Sequence, residues 1–453
     1  MQKTATASWN GSPVPPGPKG SLILGNLPDM KRDPLGLLMR ASRDYGDVAR
    51  LKLVETIWLL NRADDVKRAL VDNYANYPKA RLTVRIKPIV GDGLLTSDGD
   101  FWRRQRKLAQ PAFHRTRLAA MADAMARAAR QEIGSWRDGD VIDVSEAMSR
   151  LTLRVIGLTM MGRDLASSAG DVSSALGTAL EVTNARFQKL FFLPSLPTPS
   201  NIRFDRAMRV LDGLVARIIA ERRERGGDRG DLLSMFMEAE DAETGERMTD
   251  AQLRDEVMTM LLAGHETTSN ALAWTFHLLA MHRDVAARVR QEADAAWLAD
   301  GEPAFASLKR LQFCRWTVME AMRLYPPVWL FARTAREDDV LPSGWRVPAG
   351  KTIFVCPYTI HRDPSYWPDP ERFDPERFSE ANAAGRPRTA YVPFAAGPRQ
   401  CIGNEFALME ATIILATVCR EWRLGFARAR LPVPEPSVTL RPKDGMPMTL
   451  FRR

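Results

Sequence analysis

Cysteine is scarce: four residues (Cys314, Cys356, Cys401, Cys419) in a chain of 453, none in a CxxC pair. That excludes a disulfide-stapled scaffold and makes a zinc ribbon untenable. Long apolar runs are also missing. Residues 258–282 are interrupted by His265, Glu266, Thr267, Thr268, Ser269 and Asn270, and 408–419 is too short to cross a bilayer, so no membrane insertion is expected. The opening MQKTATASWNGS has no apolar core of the kind a signal or anchor needs, and a cytoplasmic location with reduced thiols is expected. Lys and Arg number 64 against 55 Asp and Glu, a net charge of +9, yet no basic tail concentrates them. Nucleic-acid binding is therefore not expected. Linkers, repeats and low-complexity blocks are absent too. With 45% apolar and 26% charged residues the composition is that of a globular protein, and 1–453 reads as a single domain.

The segment GSPVPPGPKG closes a Pro-rich lead-in over 1–20 that cannot be helical. Residues 33–45 have an amphipathic helical pattern, and VARLKL followed by TIWLLN alternates as a short hairpin. From 64 to about 325 apolar residues recur at helical spacing, most clearly over 118–136, 208–223, 251–282 and 284–298. A Pro-rich, irregular or β-containing zone covers 326–393. A further helix is predicted over 405–422, and the tail 426–453 is turn-rich with possible strand. The fold class is mainly α with a small β region.

One loop carries most of the chemistry. FAAGPRQCIG holds Phe394, Gly397, Arg399, Cys401 and Gly403 just before an apolar helix. A thiol before a helix feels the positive end of the dipole and nearby N–H groups, which should lower its pKa and suit it to act as a nucleophile or a metal ligand. Flanking glycines let backbone approach something flat, and Arg399 offers a fork to a carboxylate. A buried structural cysteine is the ordinary reading of a single thiol, but five specified residue types in ten positions go beyond it. With this loop the chain resembles the cytochrome P-450 superfamily of haem-thiolate monooxygenases, as a soluble bacterial-type member. The resemblance implies the cytochrome P-450 fold, with haem b (iron protoporphyrin IX) between a long central, oxygen-binding helix and the cysteine-loop helix. It makes Cys401 the axial ligand of the haem iron, a ligation that favours O–O cleavage, and directs Arg399 to a haem propionate.

Other segments extend the resemblance over nearly the whole chain. Glu320 and Arg323 in VMEAMRLYPP lie one turn apart and could pair on any helix. Together with PERF at 375–378, the family implies a buried network of Glu320, Arg323 and Arg377. LLAGHETTSN matches the oxygen-binding segment: Ala263 and Gly264 give a groove, and Glu266 and Thr267 the acid and alcohol of proton delivery. Gly264 weakens a helix and threonine hydroxyls bond back to the preceding turn, so a local opening of the helix is expected here. Trp102 and Arg106 match a WxxxR helix whose indole and guanidinium meet a propionate, and Arg333 in FARTA aligns with another propionate-binding arginine. His361 could approach the same groups, but a capping or turn role is the plainer reading.

The basic residues Arg103, Arg104, Lys107, Arg115 and Arg117 fall where family members dock acidic electron carriers. No flavin or ferredoxin segment follows Arg453, so electrons are expected from a ferredoxin- or flavodoxin-type donor with its reductase, and O2 is the co-substrate. By family position the substrate pocket takes in Ile86, Leu94, Leu95, Phe187, Leu262, Ala263, Val328, Leu330 and Phe331, which suits an apolar terpenoid, fatty acyl or polyketide molecule. Membership of the protein core is an equally plain reading of those side chains. The expected reaction is insertion of one oxygen atom from O2 into such a molecule. A peroxide-driven haem-thiolate oxidase and a non-catalytic haem ligand-binding or sensor protein are the alternatives. The Glu266-Thr267 pair, where peroxide users of the family usually carry Arg-Pro, favours the oxygenase.

Overall fold

The computed structural model describes residues 8–9, 12–165, 169–187, 196–227, 230–240, 245–296, 304–428 and 431–453. Its axis is a helix of 32 residues, Asp250–Met281. A capping box starts it: Thr249 Oγ1 accepts from the Gln252 N–H at 3.3 Å, and Gln252 Oε1 accepts from the Thr249 N–H at 2.8 Å. Apolar residues all round this helix bury it on nearly every side, as the interrupted run 258–282 requires. It packs against Val144–Met160 on one flank and Gln312–Leu324 and Asn404–Glu421 on another. Arg115–Ile133 and Arg283–Ala296 close over the helix Asn404–Glu421. Trp274, fully buried on the central helix, stacks on Tyr325 at 4.1 Å between ring centres. Each Leu, Ile or Phe buried in this core contributes roughly 1.5–3 kcal/mol.

The β structure forms a side layer. Val48–Lys52 and Thr56–Leu60 make the expected hairpin, with Val48 opposite Leu60. Thr352–Val355 adds parallel to Thr56–Leu60, and Phe331–Thr334 adds antiparallel beyond it. Alternate residues of these strands feed two smaller cores, one around Trp58, Tyr77 and Val355 and one around Leu37, Leu59 and Phe354.

Several expectations need correction. Residues 141–143, read within the helical half, form a strand that pairs with Pro447–Arg452, which in turn pairs with Trp422–Phe426. A three-residue strand shows no periodicity alone; its partner lies some 300 positions away. The helix expected over 208–223 runs from Pro199 to Arg225, because Thr198 caps it and Pro199 suits the first turn. Trp422 ends the cysteine-loop helix by entering a strand, and a short helix, Leu27–Arg32, follows the lead-in. Residues 297 and 298, the end of another expected helix, lie outside the described residues.

Candidate active site

Residues 394–403 turn tightly. Gly397 takes φ 71°, and a Cβ there would stand 2.1 Å from the Leu70 carbonyl oxygen, so only glycine fits. Ala395 is also left-handed, at φ 56°. The Cys401 N–H donates to the Phe394 carbonyl at 2.9 Å, and Gly403 leads into Asn404–Glu421. Half-buried Phe394 packs on the helical core. Cys401 keeps accessible surface although protein surrounds it, as a side chain on the wall of an internal hollow does. Burial raises its thiol pKa, while the Gly403 N–H and the Arg106 charge pull it down. The net direction is upward, against the expectation from the helix dipole, because desolvation outweighs both. A cation at the sulfur would reverse that balance.

Beside the loop lies a cluster of positive charge. Arg333 and the Arg399 side chain are each 8% exposed, and Lys79 pairs backbone to backbone with Arg333. Arg399 donates to Asp98 and, at 2.8 Å, to the Tyr77 carbonyl, with its guanidinium 5.3 Å from the Trp102 ring centre. Asp98 caps the helix Gly99–Ala109 that carries Trp102 and Arg106, and it also accepts from the Lys79 N–H at 2.8 Å. Burial, then the neighbouring Arg333, push Lys79 down to about 7; burial, then Arg399, push Arg333 down to about 10. Three basic groups thus gather around Asp98, with buried Glu256 also acting on Lys79, and among the described residues Arg399 Nε has no hydrogen-bond partner. Such a cluster calls for anions, and two carboxylates on one flat ligand fit it. Arg106 stands apart: it donates to the Gln400 carbonyl at 2.8 Å, next to the thiol and not in this cluster.

On the central helix, Ala263, Gly264, Glu266 and Thr267 stay partly accessible while Leu262, His265 and Thr268 beside them are buried. Thr267 Oγ1 donates to the Ala263 carbonyl at 2.6 Å, the back-bond expected of a helical threonine. The helix runs unbroken through this segment, so the expected local opening is not there. Gly264 has another reason: a Cβ would lie 2.5 Å from Ile156 Cδ1, so the glycine lets Val144–Met160 pack close. Glu266 Oε1 accepts from Thr439 Oγ1 at 2.6 Å. Burial raises the Glu266 pKa, opposed by Thr439 and then Arg441.

The Glu320–Arg323 network is present. Both side chains have no exposed surface; Arg323 Nε and Nη2 bind the two Glu320 oxygens at 2.7 and 2.8 Å. Arg323 also donates to the carbonyls of His361, Pro370 and Arg372, and Arg377 Nε lies 3.4 Å from Glu320. His361 belongs here: its Nε2 accepts from the Val392 N–H at 2.9 Å, a turn role.

The expected pocket residues border different apolar clusters. Ile86, Leu94 and Leu262 sit in the helical core, Leu330 and Phe331 flank the two sheet cores, Val328 is half-buried and Leu95 is exposed. The Phe187 side chain lies outside the described residues. Sequence reasoning missed Lys79, Asp98 and Thr439. Of these only Asp98, an N-cap residue before Gly99, carried a local signal.

The cytochrome P450 family profile matches residues 15–447. The chain is 36% identical to the "Cyclooctatin synthase" of Streptomyces melanosporofaciens over 99% of this chain and 95% of that protein. It is 36% identical to that organism's "Cyclooctat-9-en-7-ol 5-monooxygenase" (89% and 87% covered) and 33% identical to the "Pentalenene oxygenase" of Streptomyces avermitilis (93% and 91% covered). No helix among the described residues is long and apolar enough to cross a membrane. Cysteine loop, buried ion network and profile agree: the chain belongs to the cytochrome P450 family and is a haem-thiolate monooxygenase acting on an apolar small molecule.

Proposed function

We propose that the substrate is a cyclic terpene or its alcohol and that the bound group is haem b, which the Cys401 thiolate would hold. The observation that carries the haem assignment is the cluster of buried basic groups next to an accessible thiol: Arg333, Arg399 and Lys79 would meet the two propionates. Trp102 closes the arginine end of that site, and Arg106 steadies the loop through Gln400. Haem iron, when bound there, supplies dioxygen reduction and oxygen insertion. The short, partly accessible side chain of Ala263 would leave room for the ligand beside the central helix. Thr267 orients a proton donor at its hydroxyl, and Glu266 holds the proton that follows; such positioned groups typically give about 10²–10⁴-fold. The terpene class rests on the printed activities of the three relatives together with the apolar side chains Leu262, Val328, Leu330 and Phe331.

Electrons come, in this reading, from a ferredoxin- or flavodoxin-type protein docking on exposed Arg103, Lys107, Arg115 and Arg117. A cytoplasmic location suits a site that needs a reduced thiol. We take 1–453 as one domain, since Tyr325 packs on both the helical core and a sheet core. The test is the carbon monoxide difference spectrum of reduced wild type and Cys401→Ala, followed by turnover of a terpene panel that includes pentalenene. A strongly red-shifted Soret band confined to wild type, with oxygenated product, supports the proposal. Folded protein that takes up no haem would refute the haem site, and product formed only from peroxide would refute the electron chain.

A further inference from the structure

The C-terminal hairpin reaches the helix face that carries Glu266. Its strands Pro434–Pro436 and Leu440–Pro442 pair across a turn holding Thr439, which is 5% exposed. Thr439 Oγ1 lies 2.6 Å from Glu266 Oε1 and 3.1 Å from Asn270 Nδ2. An amide nitrogen can only donate, so Asn270 fills an acceptor position on the hydroxyl and leaves its one proton for the carboxylate. For the ionised carboxylate the direction is therefore Asn270 to Thr439 to Glu266.

The hydroxyl is also held in place. The Leu440 N–H donates to the Pro327 carbonyl at 2.9 Å, and the Leu440 carbonyl accepts from Trp274 Nε1 at 3.1 Å. On the other side the Ser437 N–H binds the Thr439 carbonyl at 3.0 Å, and the Ser437 carbonyl accepts from Trp329 Nε1 at 2.8 Å. Anchors on the central helix and on 327–329 leave the turn little freedom. The other charged group acting on Glu266 is Arg441, itself paired with Glu435 at 2.8 Å.

We propose that Thr439 is a positioning residue that fixes the Glu266 carboxylate, with one oxygen engaged and the other left to exchange protons. This rests on the reading of Glu266 as the proton-delivering acid. An amide cannot relay a proton onward here, so Asn270 and Thr439 form an anchor and not a conduit.

The experiment uses the haem-loaded chain. The carboxyl C=O stretch of Glu266 is identified by its loss in Glu266→Gln and titrated by infrared spectroscopy in wild type, Thr439→Ser and Thr439→Val. A hydroxyl bonded to the ionised carboxylate favours that form, so Thr439→Val should raise the midpoint by about one unit or more, and Thr439→Ser should leave it in place. Under reductant and O2, the share of consumed O2 released as hydrogen peroxide should change in Thr439→Val and stay at the wild-type level in Thr439→Ser. Thr439→Ala, which introduces no new branched methyl, repeats the measurement if the valine variant does not fold. An unmoved midpoint in folded Thr439→Val or Thr439→Ala overturns the proposal, as does an equal shift in Thr439→Ser. A midpoint that moves, with the peroxide share unchanged even in Glu266→Gln, supports Thr439 as the anchor and refutes Glu266 as the acid.

Discussion

Replacing Arg323 with alanine tests the buried network most directly. The guanidinium makes five hydrogen bonds in a volume with no exposed surface: two to Glu320 and three to the carbonyls of His361, Pro370 and Arg372. Its removal leaves Glu320 with the Asp374 N–H at 2.9 Å and with Arg377, whose closest nitrogen is 3.4 Å away. Breaking a buried pair from one side costs about 3–5 kcal/mol. Each carbonyl left without a donor adds roughly 1–3 kcal/mol, although relaxation makes these losses less than additive. A loss of at least about 5 kcal/mol against a typical stability of about 5–15 kcal/mol leaves little folded protein. Lysine keeps the charge but not the fork, and at most three donors replace five bonds, so Arg323→Lys should fall between alanine and wild type. Urea unfolding followed by tryptophan fluorescence, with haem content per chain, gives both readings. Arg323→Ala recovered within about 1 kcal/mol of wild type and with full haem would refute the reasoning.

Burial pushes His265 and His277 down to about 4, from an ordinary value of 6.5. The unfolded chain then takes up protons that the folded chain refuses, so each histidine should lower stability by about 2 kcal/mol between pH 7 and pH 5. Against wild type, His265→Gln and His277→Gln should flatten the fall of the urea midpoint over that range; an unchanged slope would show that these rings are not held neutral. Gly264→Ala should fail to give the roughly 1 kcal/mol that alanine offers a helix, because its Cβ meets Ile156 Cδ1. Adding Ile156→Val should recover stability in a double-mutant cycle, and strict additivity of the two changes would contradict a contact between them. Reduction by an acidic ferredoxin should slow as ionic strength rises and slow further in Arg115→Glu; a rate indifferent to salt would place the docking face elsewhere.

What was legible in the sequence follows from how local each signal is. Cys401, Arg399 and Gly397 lie within five residues, so their spacing could be read, although the Leu70 carbonyl that makes the glycine necessary is more than 300 positions away. The central helix announces itself over nine turns, and a short-range cap sets its start. Glu320 and Arg323 are one turn apart, so the pair could be read while its burial could not. The misses are long-range. Lys79 joins the cluster through a bridge to Arg333, more than 250 positions on, and Val141–Asp143 becomes a strand only because Pro447–Arg452 reaches it.

At Gly264 the packing reason differs from the expected one. Periodicity placed it on the right helix, and its weak helix propensity suggested a bulge, yet what it accommodates is Ile156 of the neighbouring helix. Thr439 is the converse. Nothing around it in the turn-rich tail separates it from any other threonine, and only the packing of the hairpin against the central helix gives its hydroxyl a partner. The two cases point to one division of labour in this fold. The residues proposed to meet the haem, apart from Lys79, come from compact segments with readable spacing. Those that hold them in place, Asp98 for Arg399 and Thr439 for Glu266, come from elsewhere in the chain, so substitutions at the second set should alter the site while leaving every recognisable motif intact.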